Sequence, residues 1–115
     1  MKRAIKLISK LALVAAGLLV GAWAFQAAPQ PDGTAIYKQK CSMCHGVDGK
    51  GFASLKTPDF TDPKWQEATT DKVITTTIKL GKKGAAMPAF GEKLKEEEIS
   101  ALVAHIRSLN SSKKK

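Results

Sequence analysis

The chain offers few donors to a metal: two cysteines, two histidines and three methionines in 115 residues. Structural zinc takes four nitrogen or sulfur ligands in a tetrahedron. His105 stands in a helical pattern with no second ligand beside it, so a zinc site is short of donors. A thioredoxin-type dithiol expects a βαβ setting, and no credible strand pattern occurs. Cys41 and Cys44 could close a disulfide, which an exported protein can carry, but so small a ring would restrain very little chain. Aromatics make up only 6% of the residues. They are not interleaved with a basic stripe in the manner of single-strand binders, so nucleic acid is not an expected partner. There is no internal repeat and no Ser-Arg-Arg type pair near the N-terminus.

What is present centres on Cys41-Ser42-Met43-Cys44-His45. C-x-x-C-H is the attachment signature of c-type haem. Two thiols three residues apart lie on one side of a helical turn, within reach of both vinyl groups on one porphyrin edge. Each can form a thioether bond, and the next residue brings its imidazole under the iron as an axial ligand.

Lys2, Arg3, Lys6 and Lys10 precede an almost wholly apolar run, Leu11 to Phe25. Ala22-Trp23-Ala24 fits the small-residue cleavage pattern, with Gln26-Ala27-Ala28 as a second site. Residues 1–28 read as a secretory signal peptide. A retained membrane anchor is the alternative, the run being slightly short for a span. Either reading puts the remainder in the periplasm. Residues 29–112 form one small domain, expected as a monomer, and 113–115 a basic, frayed tail. A domain of this size buries a modest core alone; a covalently held haem would supply missing apolar surface. The formal charge is +9, and +5 without the four basic residues of the leader. That balance suits an acidic docking partner or an anionic membrane surface, or simply solubility.

The domain reads as all-α. Asp32 is a good N-cap for a first helix through Ala35, Ile36 and Tyr37 into Cys41. Gly46 to Gly51 breaks regular structure, and Leu55 to Thr61 reads as loop. Asp62-Pro63 starts a short helix carrying Trp65. Thr70 to Leu80 is rich in β-branched residues, which favour strand. The spacing of Val73, Ile74 and Ile78, with Asp71 at the start and Gly81 after the end, predicts a helix instead. Ile99, Leu102, Val103, Ile106 and Leu109 form one face of a last helix. Its first turn holds Glu96, Glu97 and Glu98, where the helix dipole favours anions; Lys95 is a poor N-cap. Three main helices and a short one would wrap a planar cofactor.

Met87 is the expected second axial ligand. Met1 belongs to the leader, and Met43 lies inside the attachment turn and cannot reach the opposite face. Gly84-Ala85-Ala86-Met87-Pro88 can approach a flat ring closely, and Pro88 fixes the backbone after it. A thioether suits haem iron and raises its potential. The plain alternative is that Met87 fills a core gap. His105 is read as a packed helix residue.

These residues resemble a class I cytochrome c of the small bacterial, periplasmic kind. The resemblance rests on Gly33 and Tyr37, Cys41 to His45, Met87-Pro88-Ala89-Phe90, and Ile99 to Leu109. It implies one haem c enclosed by helices, with the first and last helices crossing near Gly33. It also implies a proline carbonyl, from Pro58, orienting the proximal imidazole, and Trp65 covering the haem or reaching a propionate, though core packing explains Trp65 equally well. Where such proteins commonly carry an aromatic, this chain has His105. The expected function is one-electron transfer, not catalysis, with redox proteins as partners and Lys79, Lys82 and Lys83 flanking the haem edge. A haem enzyme or ligand sensor with an open distal site is the alternative, although Gly84, Ala85 and Ala86 offer no acid–base group. A dedicated subunit of a larger redox complex is another.

Overall fold

The computed structural model describes residues 28–114, so the leader reading, apart from Ala28, and Lys115 lie outside the described residues. The helices are α1 (Gly33–Lys40), α2 (Ser42–His45), α3 (Pro63–Ala68), α4 (Asp71–Leu80) and α5 (Glu96–Ser108). Single 3₁₀ turns cover Ala53–Leu55 and Ser111–Lys113, and no strand occurs among the described residues. The all-α reading holds.

Each helix start has an identifiable cause. The Asp32 carboxylate accepts hydrogen bonds from Thr34 N and Ala35 N at 3.0 and 3.1 Å. Asp62 does the same for Lys64 N at 3.0 Å, with Pro63 at the first helical position. For α4 the cap is Thr70, whose hydroxyl accepts from Val73 N at 3.3 Å. Asp71, expected near that start, sits in the first turn and pairs with Arg107 at 2.7 Å. The weak cap at Lys95 is repaired from within the helix. Glu98 reaches back and accepts the Lys95 backbone N–H at 2.8 Å, half of a capping box.

α4 is helical against its local preference because burial overrides it. Ile74 and Ile78 stand four apart and are both buried, while Thr76 between them is exposed; a strand would put all three on one face, a helix does not. Thr77 settles its hydroxyl on Val73 O at 2.8 Å, the back-bond a helical threonine makes. The chain just before the basic tail is anchored. Asn110 caps the last turn through Ser112 N at 3.0 Å, and Ser111 N donates to Thr61 O at 3.0 Å.

The core is Tyr37, Phe60, Ile74, Ile78, Leu94, Ile99, Leu102, Val103 and Ile106, with Met87, Trp65, Phe90 and Leu109 packed on it. Its frame is the crossing of α1 on α5. A Cβ at Gly33 would overlap the Ala101 carbonyl, so only glycine lets the two backbones meet there. One turn on, His105 takes the aromatic's place. Its ring packs on Tyr37 with centroids 4.7 Å apart, and its Nδ1 lies 3.1 Å from Thr34 Oγ1. The other nitrogen, Nε2, is buried with no hydrogen-bond partner. The departure at position 105 therefore keeps the crossing and makes it partly polar.

Two outcomes follow for stability. Gly33→Ala should cost about 1–3 kcal/mol, the range for forcing extra volume into a packed contact. It is read as a lowered urea midpoint at unchanged slope. Burial holds the His105 imidazole below its ordinary 6.5, with Asp32 raising it and Lys38 lowering it as smaller effects. The folded chain then binds fewer protons at this site than the unfolded chain. Stability from neutral His105 is complete above the unfolded value and is lost as pH falls through the depressed one. Between about pH 7 and 5 the wild type should lose more stability than His105→Phe, measured by urea titration at each pH. Parallel losses would locate the acid sensitivity elsewhere.

Candidate functional site

The attachment motif is one continuous helical turn. Cys41 N donates to Tyr37 O at 2.9 Å, closing α1. His45 N then donates to Cys41 O at 2.9 Å and Gly46 N to Ser42 O at 2.8 Å. The backbone at Cys41, with φ −117° and ψ −33°, offsets α2 from α1 without breaking the coil. Both cysteines are free thiols, Cys41 half-buried and Cys44 exposed. Burial, then the neighbouring Cys44, pushes the Cys41 thiol up to about 11 against the opposing pull of Lys40. Met43 projects outward, 88% exposed, as its place inside the turn requires.

His45 is held neutral, since burial pushes its imidazole below 6.5. The neutral ring is the form that ligates a metal. Its Nδ1 is buried without a hydrogen-bond partner among the described residues. The expected bond from Nδ1 to the Pro58 carbonyl is therefore not made. A Cβ at Gly51 would meet the Pro58 carbonyl at 2.8 Å, and Gly51 N donates to His45 O at 2.8 Å. The loop after the motif is secured from α1, because Tyr37 Oη donates to Gly46 O at 2.8 Å.

Sequence reasoning missed the group that does touch His45. The Phe60 ring stacks on the imidazole, with centroids 4.9 Å apart and planes 18° from parallel. Trp65 packs on Phe60 in turn at 4.8 Å, in line with the core-packing account of Trp65. A lone phenylalanine in a loop carries no periodicity to mark it.

The Met87 loop is tied back to the end of α4. Phe90 N donates to Ile78 O at 2.9 Å and Gly91 N to Lys79 O at 3.1 Å. Lys82 N donates to Met87 O at 3.2 Å. Gly81, at φ +69°, makes this turn possible; a Cβ there would meet the Met87 carbonyl at 2.7 Å. Met87 is half-buried against the core. Of the three lysines expected to flank the site, Lys79 is otherwise engaged. Its ammonium lies 2.7 Å from the Glu96 carboxylate on α5. Lys82 and Lys83 are exposed.

This residue set fits haem c and little else. No three His, Cys, Asp or Glu side chains converge as a metal site among the described residues, which leaves a polypeptide-only zinc site without donors. Two free thiols flank one side of the turn, and a neutral imidazole follows them. Phe52, Leu55 and Val73, each near half exposed, lie outside the polypeptide's own core, as expected where an apolar cofactor completes it.

The family described as cytochrome c oxidase, cbb3-type, subunit III matches residues 28–106. The chain is 33% identical over 84 residues to the cbb3-type cytochrome c oxidase subunit CcoP of Rhodobacter capsulatus. It is 35% identical over 77 residues to the subunit FixP of Azorhizobium caulinodans. Each alignment covers 67% of this chain but only 28% and 26% of those proteins, so the chain spans about a quarter of the relatives' length. Among solved structures it is similar to the KustC0563 c-type cytochrome. The TM-score is 0.65 at 38% identity, over 70% of this chain and 99% of that one. It is also similar to cytochrome cL from Hyphomicrobium denitrificans, with TM-score 0.58 at 34% identity, over 70% of this chain and 47% of the other. The chain belongs to the cbb3-type cytochrome c oxidase subunit III family, as a c-type cytochrome domain that binds haem c and transfers electrons.

Proposed function

We propose that the chain is a monomeric, periplasmic, non-enzymatic carrier of single electrons. Cys41 and Cys44 would hold one haem through thioether bonds, and His45 and Met87 would ligate its iron. The observation that carries this reading is the motif turn itself: two free thiols and a histidine on one hydrogen-bonded coil. When bound, haem supplies a ferric–ferrous couple whose potential is tuned by its axial ligands and their surroundings.

The chain's own residues bind, orient and shield. Tyr37 locks the loop behind His45 through Gly46. Burial keeps the His45 imidazole unprotonated and available. The tie between Lys82 N and Met87 O, with the turn at Gly81, fixes the loop that presents Met87. With His45 and Met87 both on the iron, a substrate would have no place to coordinate, which favours electron transfer over catalysis.

Met87→Ala tests the ligand set. The wild-type ferric protein should be low-spin, with a weak near-infrared band from sulfur-to-iron charge transfer. The variant should lose that band, bind small exogenous ligands and show a lower reduction potential, because the soft thioether favours ferrous iron. An unchanged band would assign the ligand elsewhere.

Partners are redox proteins with an acidic docking patch, and the relatives support a place beside or within a terminal oxidase. A dedicated subunit and a free carrier would use the same docking chemistry. Lys82 and Lys83 stand next to the Met87 loop, and screening shortens electrostatic reach to about 8 Å at physiological salt. Electron-transfer rates with the native partner should fall as salt rises. Replacing Lys82 and Lys83 by glutamate should slow association by roughly tenfold or more at low ionic strength. The same change at Lys113 and Lys114 should matter much less. Equal or larger effects at the tail would favour membrane attraction by the C-terminus instead. Salt-independent rates would favour an apolar face around Ala85, Ala86 and Phe90.

A further inference from the structure

We propose that His105 is a redox-linked proton site: its imidazole binds a proton more tightly when the haem is reduced, and its protonation raises the reduction potential in return. This rests on haem held at the Cys41–His45 turn. Where an aromatic is common, the contact between α1 and α5 here carries an ionisable ring.

His105 stands one side chain away from the loop behind the proximal histidine. Its half-buried ring packs on Tyr37, with centroids 4.7 Å apart and planes at 47°. Its Nδ1 lies 3.1 Å from Thr34 Oγ1. Tyr37 is 1% exposed, and its hydroxyl donates to Gly46 O at 2.8 Å, one residue after His45. A charge on the imidazole therefore faces the site across a buried ring, where water screens it least.

The charged groups around the imidazole are few. Asp32, at the head of α1, favours the proton and Lys38 on the same helix opposes it, both less strongly than burial does. Glu96 and Glu97 line the same groove about two turns back along α5, and Glu96 is paired with Lys79. Arg107 is turned away to Asp71. These charges set the balance, and the electron adds one more negative charge beyond Tyr37. For one charge felt through a partly solvated interior, the gain in proton affinity is roughly two- to fivefold. By reciprocity the electron is favoured by the same factor when the proton is present. Each electron taken up at the iron then draws a fraction of one proton from water onto the imidazole, and oxidation releases it. Burial holds the His105 imidazole below 6.5, so the linked range lies on the acid side of neutrality.

Proton NMR on the wild-type holoprotein tests this. The His105 ring protons, assigned by their contacts to the Tyr37 ring, are titrated in the ferric and the ferrous states between about pH 8 and 5. The ferrous midpoint should fall at a two- to fivefold lower proton concentration than the ferric one. Potentiometry reads the same linkage from the other side. As pH falls through this range, the potential of the wild type should climb more steeply than that of His105→Phe. Titration of the haem propionates persists in both proteins, so the difference belongs to His105. Coincident midpoints in the two oxidation states overturn the proposal, and so do parallel potential curves. The midpoints need the wild type alone and stand even if the variant does not fold. A protein without a covalent haem spectrum would overturn the underlying reading as well, an outcome distinct from coincident midpoints in a coloured protein.

Discussion

The close approach of α1 and α5 at Gly33 is the constraint on which the site depends. Two helix backbones meet where any side chain would overlap the Ala101 carbonyl. That contact fixes the direction in which α1 runs, and α1 leads directly into the thiol-bearing turn. Tyr37, one turn along, is nearly fully buried, at 1% exposure, between His105 and the Gly46 carbonyl. Burial, with Cys41 and Asp48 adding smaller effects, pushes its hydroxyl well above the ordinary phenol range. It remains a neutral donor, and the hydrogen bond that holds the loop behind His45 survives any ordinary change of pH. The last helix therefore positions a site to which it contributes no ligand.

A second brace comes from the other end of α5. Arg107 donates to Asp71, to Gln66 O and Oε1, and to Thr69 O. Gln66 passes the connection on to Phe60. A guanidinium with its donors so fully used joins the end of α3, the start of α4 and α5 in one polar knot. Such a network is stiff when every member is satisfied. It fixes segments that follow the attachment turn, α3 and the start of α4, relative to one helix, and the largely exposed Lys79–Glu96 pair adds a weaker surface tie. That arrangement suits electron transfer, where little reorganisation of the ligands is an advantage and no substrate must enter.

The parts of this account legible in the sequence are those with a local signature. Cys41 to His45 announces its chemistry by spacing alone. Met87 follows as the proposed second ligand because no other methionine is free to serve. Helices α1, α3 and α5 carry caps or periodic faces, and even α4 is betrayed by Ile74 and Ile78 despite its β-branched run. What was not legible depends on contacts between distant residues. Lys79 looked like part of a docking face until Glu96 of the next helix appeared opposite it. Pro58 as the partner of His45 came from resemblance alone, and no hydrogen bond joins them among the described residues. Phe60 gave no pattern at all, because its importance comes from Gln66 and His45, six and fifteen residues away. Glu98 as the repair of a weak cap was within reach of the sequence, since it stands three residues after Lys95.

The central claim is that the Cys41–His45 turn holds haem covalently in a chain otherwise built to brace it. Intact-mass measurement on wild-type protein tests this most directly, after export in a host with a haem-attachment system, denaturation and acid–acetone extraction. The account predicts a coloured polypeptide heavier than the bare chain by one haem. A colourless polypeptide of unmodified mass, with the pigment wholly in the extract, would contradict it.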